Sequence, residues 1–322
     1  MRKTKINKII AIIKNNNTFL ITAHMNLEGD ALGSELSLYL LLKKLNKRVT
    51  IYNHDLTPDA YKFLPKHKLI KNNPKKNKVD VAFVLDCSDS SRAGRIENKL
   101  SDANIVVNID HHISNTFFGD LNWVEPEMSS ASEMIYHLAK KIKIINKNIA
   151  LCLYTGIFTD TGGFTYANTN SNTHKIIAEL MTFDVKPHLI DKEIYSLCVP
   201  DDIRFISRSI QKLKFVSNQK ICWLAISRWQ EKEYDLTEII FSIMRLLKTP
   251  DVFVVFKKIN KNRTRINFRS CSQVDVNKIA KFFGGGGHKK ASGTTLDENL
   301  KESEKKVISF IKRFTDGKNT KR

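Results

Sequence analysis

No apolar run in the 322 residues approaches the roughly 20 needed to span a bilayer, and stretches such as 9–13 and 38–42 are far too short. That argues against a membrane-spanning helix. The basic start, MRKTKINKIIAIIKNNN, has only a five-residue apolar stretch and no small-residue cleavage site after it. It predicts an amphipathic first helix rather than a signal peptide. Cysteine is scarce and scattered: Cys87, Cys152, Cys198, Cys222 and Cys271 are odd in number and include no C-x-x-C pair. A disulfide scaffold and a structural zinc site are thereby excluded, and a reducing cytoplasm is the expected compartment. Internal repeats of 20–50 residues are absent, and the one low-complexity patch, KNNPKKNK (71–78), reads as a solvated loop. Acidic residues are also short, 33 against 53 Lys and Arg, for a formal charge of +20. The 42% hydrophobic content still suffices for a packed core in each of two domains, which excludes disorder of the whole chain.

The charge is unevenly spread. Residues 205–322 carry net +15 and residues 1–204 only +5. Such asymmetry points to a polyanionic partner for the C-terminal part, a nucleic acid or a nucleotide phosphate. A compositional reading stands beside it, because the chain is rich in Lys, Asn and Ile throughout, as AT-rich coding produces.

The N-terminal part alternates β-rich runs with helical patterns. TFLITAH (18–24), RVTIYN (48–53), VDVAFVLD (79–86) and NIVVNID (104–110) read as strands, and EGDALGSELSLYLLLKKL as an amphipathic helix. Strands this apolar, separated by helices, predict an α/β fold with a parallel sheet covered on both faces. The pattern turns irregular around 184–204, with Pro187 and Pro200, which places a linker at 188–204 between domains at 1–187 and 205–322. The second, smaller domain is expected to be α+β. Its runs KICWLAI, VFVVFKK and TRINFRS read as strands, the last two joined at 260–262 in a hairpin.

Three strands end in groups that ligate metals: His24 followed by Glu28 and Asp30, then Asp86, then Asp110-His111-His112. In a parallel sheet the C-terminal strand ends open on one edge, so these residues converge. Asp160, in an Asp-Thr-Gly-Gly turn, is a further candidate. Any one of them alone reads as a helix cap or a turn Asp. Together they are hard to explain as caps. Imidazoles mixed with carboxylates, and no thiolate, favour a borderline-hard ion such as Mn²⁺.

HMNLEGDALGS (24–34), DCSD (86–89), NIDHH (108–112) and GIFTDTGGF (156–164) match in order the four motifs of the DHH phosphoesterases, which the chain therefore resembles. NFRS (267–270) and GGGGHKKASG (284–293) resemble the signature of the DHH-associated domain. The resemblance spans essentially the whole chain. Its spacing is most similar to the stand-alone nanoRNase/pAp-phosphatase and cyclic di-AMP phosphodiesterase group. It implies two Mn²⁺ ions, with Mg²⁺ or Co²⁺ as substitutes. His24 and Glu28 would hold the first, Asp30, His111 and Asp160 the second, and Asp86 would bridge them. His112 would act on an oxygen of the scissile phosphate, and Asp110 would orient a histidine. One departure concerns Leu27 and Glu28, which stand where the family usually has Pro and Asp. Glu adds one methylene, about 1.5 Å of reach.

In the C-terminal part, consecutive glycines at 284–287 let backbone N–H groups converge on an anion. Period-2 alternation puts Arg263, Arg265, Asn267 and Arg269 on one face of a strand and Thr264, Ile266 and Phe268 on the other. Arg263 reads as a charged edge residue. Arg269 and Ser270, with Gly286, Gly287 and His288, are the expected phosphate grip. Trp223, Trp229, Phe282 and Phe283 read as core, with Phe283 as the one candidate to touch a base. His54, His67, His137, His174 and His188 read as surface or structural.

Two classes of function follow. One is a manganese phosphodiesterase that hydrolyses cyclic di-AMP, pApA or RNA of two to five residues to mononucleotides, and also pAp to AMP. The other is a nucleotide-sensing or RNA-binding protein with a relic metal site. A pyrophosphatase-like phosphohydrolase shares the Asp-His-His motifs, but the glycine loop before His288 and the FRS segment argue against it. The expected partner is a small nucleotide or short single-stranded RNA. No membrane is implied, and a homodimer is left open.

Overall fold

The computed structural model describes residues 2–73, 78–196, 198–229 and 236–319. Half of the KNNPKKNK patch, residues 74–77, lies outside them. The chain divides into two compact units, Met1–Leu197 and Cys198–Arg322. The 188–204 stretch, expected as a linker, is largely helical: α7 covers Pro187–Tyr195 and α8 Pro200–Ile210. Each starts with its proline in the first turn, where the missing N–H costs nothing and the fixed φ suits a helix. Among the described residues no helix is long and apolar enough to cross a membrane.

The first unit is built on six parallel strands: β1 (Thr18–Thr22), β2 (Arg48–Tyr52), β3 (Ile70–Lys71), β4 (Val79–Leu85), β5 (Ala103–Asp110) and β6 (Leu121–Val124), in the order β3-β2-β1-β4-β5-β6. Both sheet faces are covered, so each strand's alternating side chains enter two different cores. Phe19, Ile21, Val81, Phe83, Leu85, Val107 and Ile109 face helices α1 (Arg2–Asn15), α2 (Gly29–Lys44), α4 (Ala131–Ile142) and α5 (Lys147–Asp160). Leu20, Ala82 and Val84 face the smaller layer of Ala93, Ile96 and Leu100, the last on the short α3 (Glu97–Leu100). Double coverage explains why these strands read as continuous apolar runs. α6 (Ser171–Met181) follows α5, capped by Asn170, whose side chain accepts from Thr173 N.

The second unit holds a mixed sheet in the order β11-β12-β10-β9-β8-β7. Its strands are β7 (Lys214–Val216), β8 (Ile221–Ile226), β9 (Val252–Asn260), β10 (Arg263–Ser270), β11 (Gly286–Gly287) and β12 (Ala291–Leu296), with only β8 and β9 parallel. β9 and β10 form the expected antiparallel hairpin, with a register shift at Arg263/Thr264. Thr264, Ile266 and Phe268 are buried on one face of β10, against α10 (Val276–Phe282) and α11 (Leu300–Asn319). The other face of the sheet packs on α8 and α9 (Leu236–Met244).

Candidate functional site

The strand order reverses direction at β1, which lies between β2 and β4. Chain entering the helical layers from β1 and from β4 leaves in opposite senses, opening a crevice at the carboxyl ends of these two strands. His24 lies two residues past the end of β1, Asp86 directly follows β4, and Asp110 ends β5 with His111 and His112 after it. Asp86 takes φ +51°, the left-handed region, at a cost of about 1 kcal/mol for a residue with a Cβ. Its N–H still donates to Ile109 O at 3.0 Å, so the sheet holds the strained residue in place.

Helices bring the other carboxylates. Asp30 lies in the first turn of α2 and Asp160 ends α5. These helices pack closely because both are glycines at the contact. A Cβ on Gly33 would fall 2.5 Å from Cys152 O, and one on Gly156 would fall 1.9 Å from Ser132 Oγ and 2.9 Å from Asp30 Oδ1. Asp30 is further tied to the start of α4: Ala131 N donates to Oδ2 at 2.6 Å and Ser132 N to Oδ1 at 2.8 Å. Exposed N–H groups at a helix N-terminus favour a carboxylate there.

The side chains form three overlapping groups, His24–Glu28–Asp86, Asp30–His111–Asp160 and Asp86–His111–His112, each with its ligand atoms within 4.8 Å of one another. Asp86 lies between the two imidazoles: Oδ2 is 3.4 Å from His24 Nε2 and Oδ1 is 3.5 Å from His111 Nε2. His111 Nε2 is also 3.6 Å from Asp160 Oδ2 and 3.9 Å from Asp30 Oδ2. Glu28 precedes α2 at the capping position but makes no side-chain cap. Its Oε1 turns instead toward His24 Nε2, at 3.7 Å.

The site's electrostatics are those of crowded like charges. Burial, and then the charge of Asp86, push Asp30 up to about 7. Burial, with Asp30, Asp86 and Glu28 nearby, drives Asp160 well above the carboxylate range. Burial would depress His24, but Asp86 and Glu28 beside it raise it to about 9. Asp86, also opposed by burial, is held well below its usual range by His111 and His24.

A divalent cation fits this set. Nδ1 of His24 lies 2.7 Å from Met25 O and Nδ1 of His111 lies 3.2 Å from Met128 O. A carbonyl only accepts, so each Nδ1 carries a proton, and each Nε2, which faces the carboxylates, is the nitrogen that would exchange its proton for a cation. His24 Nε2 and Asp86 Oδ1 are buried without a hydrogen bond. Unpaired buried polar atoms are costly, and a cation among them would relieve both that cost and the repulsion between carboxylates.

His112 is held differently. Its Nδ1 lies 2.6 Å from Asp110 Oδ1, and Asn115 Nδ2 donates to Asp110 Oδ2 at 2.6 Å and to Asn108 Oδ1 at 2.8 Å. Asp110, opposed by burial, is kept ionised by that contact with His112, so His112 Nδ1 bears a proton and Nε2 points away from Asp110. Sequence reasoning singled out Asp110 but missed Asn115, although Asn five residues after an Asp in a tight turn was the available signal. It also missed Asn168, which donates to Ser129 O at 2.9 Å and to Asp160 O at 3.0 Å, bracing Asp160. Arg92 is a third omission. It makes no ion pair among the described residues, donates to Ser88 Oγ at 3.4 Å, and its charge reaches His24.

The residues singled out in the second unit have other partners. Arg269 pairs with Glu238, donates to Phe268 O at 2.9 Å and lies over the Phe241 ring at 4.9 Å. Ser270 is buried, its hydroxyl toward Ser272 O. The glycine loop differs from the expected anion nest. Gly284 N donates to Lys281 O, Gly285 N to Ala280 O and His288 N to Ala291 O, so these donors end α10 and start a strand pair. Packing demands two of the glycines: a Cβ on Gly285 would lie 2.2 Å from Gly293 O, and one on Gly287 2.6 Å from Ala291 O. Phe283 is buried in the core, whereas Phe282, read as core, is 65% exposed.

Comparison with known proteins agrees with this geometry. Residues 18–157 match the DHH family, N-terminal domain, and residues 218–316 the DHHA1 domain. The chain is 29% identical over 296 residues to the bifunctional oligoribonuclease and PAP phosphatase NrnA of Thermus thermophilus, covering 91% of this chain and 88% of that one. It is 28% identical to the probable bifunctional oligoribonuclease and PAP phosphatase NrnA of Streptococcus mutans, over 92% and 96% of the two chains. Among solved structures, an exopolyphosphatase-related protein from Bacteroides fragilis superposes with a TM-score of 0.87 at 25% identity, covering 95% of each chain. With both domain models matched in order and the strand-end cluster in place, the chain belongs to the DHH family of phosphoesterases, a DHH domain followed by a DHHA1 domain.

Proposed function

We propose that this protein is a divalent-cation-dependent phosphoesterase that cleaves short adenine-containing nucleotides (pApA, RNA of two to five residues, cyclic di-AMP) to mononucleotides and removes the 3′-phosphate of pAp. The observation that carries this reading is Asp86 set between two imidazoles, one carboxylate oxygen toward each, with a carboxylate group flanking either side. His24 and Glu28 would hold one ion, Asp30, His111 and Asp160 the other, and Asp86 both. A set of nitrogen and oxygen donors without sulfur suits Mn²⁺, with Mg²⁺ or Co²⁺ as substitutes. Two such ions, when bound, lower the pKa of a water and offset charge on the phosphoryl oxygens. His112, when its ring carries a second proton, would give it from Nε2 to the departing oxygen, and Asp110, clamped by Asn115, keeps the ring in the orientation that allows it. Arg269 would grip a phosphate away from the reacting one, with Glu238 holding its guanidinium in register until substrate arrives and Ser270 following it on the strand. The exposed side of Gly286, Gly287 and His288, which lead into Ala291, the strand partner of Arg269, would lie beside that phosphate. The names of the Thermus and Streptococcus relatives, oligoribonuclease and PAP phosphatase, support the choice of substrates.

The test is turnover by purified protein after chelator treatment, with each divalent ion restored in turn. Mn²⁺ is expected to restore AMP release from pApA and pAp best, and Mg²⁺ less well. No AMP from pApA, pAp or cyclic di-AMP under any ion would overturn the reading.

A further inference from the structure

Phe282 is the last residue of α10, and its ring lies on Phe310 of α11 with centroids 4.1 Å apart and planes 21° from parallel. Phe310 is in turn stacked on Phe314 and set edge-on to Phe283. The Phe282 ring is thus backed and oriented by a small aromatic stack, yet 65% of the residue remains exposed. An apolar ring fixed in place and left in water contributes little to the core. Lys or Glu would serve a solvent-facing helix end better.

What surrounds the ring is cationic. Lys278, one turn earlier on α10, shares its face of the helix, and Lys281 adjoins it. Arg313, three residues after Phe310, lies on the same side of α11 as that ring. All three are exposed and make no ion pair among the described residues. The loop after Phe282 adds one more feature. Gly284 needs its glycine for φ +73°, and Gly285 and Gly287 need theirs for packing. Gly286 has neither reason: its φ is ordinary and a Cβ there would meet nothing within 4 Å. Bare backbone is left open four residues from the ring. A protein partner would want a broader apolar patch, and no other large hydrophobic residue of α10 or α11 is exposed among the described residues.

We propose that Phe282 is a stacking shelf for a nucleobase of the oligonucleotide, with Lys278, Lys281 and Arg313 drawing in its phosphates. A ligand that is aromatic and anionic at once answers both halves of the surface, and aromatic stacking beside basic residues is how single strands are held without sequence preference. The inference rests on the nucleotide reading above and adds where substrate length is sensed.

The experiment uses the full chain with a labelled, phosphorothioate-linked tetra-adenylate, which resists cleavage, in an anisotropy titration. Phe282→Ala and Phe282→Leu should each weaken binding about tenfold, Leu because it keeps the packing on Phe310 but has no ring to stack. Phe282→Trp should bind as well as wild type, with its fluorescence quenched by the ligand. An abasic tetramer should bind all four proteins alike. Wild-type affinity in Phe282→Leu, or no binding by the wild type, overturns the shelf. So does a lower sedimentation coefficient in Phe282→Ala, because the ring would then hold a second copy of the chain. Binding with the expected pattern but no hydrolysis of unmodified pApA would refute the enzymatic reading and leave the shelf standing.

Discussion

Glu28 shows how one methylene is accommodated. The residue stands at the N-cap of α2, where a shorter Asp would cap the helix by accepting from an N–H two or three residues on. Glu28 makes no such bond, and its carboxylate extends to 3.7 Å from His24 Nε2. It is also the most exposed member of the cluster, 58% at the side chain, so it is the ligand whose loss the fold tolerates best. Glu28→Ala is expected to melt within a few degrees of wild type while binding one ion instead of two, with turnover down at least about a hundredfold. Metal analysis beside a thermal melt checks both halves, and two ions in a stable Glu28→Ala would remove Glu28 from the site. Glu28→Asp keeps the charge and shortens the arm. It should retain the ion more weakly, because the backbone at φ −124° and ψ −177° already places the longer side chain in reach.

At the scale of elements, the crevice is braced by a buried pair that titrates. Glu35 of α2 accepts from Asn53 Nδ2 at 2.8 Å, and Asn53 Oδ1 accepts from Ala23 N at 3.0 Å, so α2, the end of β2 and the end of β1 are locked beside His24. Burial pushes the Glu35 carboxyl up from 4.5 to about 8, and its Oε1 has no hydrogen bond. The folded state therefore holds a proton that the unfolded chain releases above pH 4.5. The stabilisation is complete below that pH and is lost progressively as pH rises from there through about 8, a swing of about 5 kcal/mol at most. Glu35→Gln, which keeps an acceptor for Asn53 and cannot ionise, should be more stable than wild type at pH 8.5 and nearly equal to it at pH 5. Urea melts at the two pH values decide it, and an equal difference at both would place the Glu35 carboxyl in a solvated environment.

Across the whole molecule, charge separates the units. The C-terminal part carries three-quarters of a formal charge of +20, much of it on exposed Lys and Arg of the hairpin, α10 and α11. Contacts to several phosphates release several counterions, so affinity for a longer strand falls more steeply with salt. Raising salt from 50 to 250 mM is therefore expected to increase KM for a tetranucleotide about tenfold and for pAp only about two- to threefold. Initial rates across that range test it, and equal slopes for the two substrates would return the basic excess to composition alone.

The alternation of apolar runs with helical periods determined by itself that the first unit is a parallel sheet covered on both faces, because burial on each face writes directly into the residue pattern. Period 2 likewise set which side of β10 is buried. The meeting of His24, Asp86 and the Asp-His-His segment at one sheet edge was also readable, since parallel strands share a direction. Other features depended on residues far apart in the chain. Asp30 is held by N–H groups of Ala131 and Ser132, a hundred positions away, and only the close approach of α2, α4 and α5 through Gly33 and Gly156 brings them together. Two adjacent histidines look alike in sequence, yet Met128 O orients one and Asp110 the other. Phe282 and Phe283 are equally apolar, but α10 ends between them, and the rotation of about 100° per residue turns one ring outward and the other into the core. Local pattern reports how much of a side chain is buried; which group it meets is decided by the packing of whole elements.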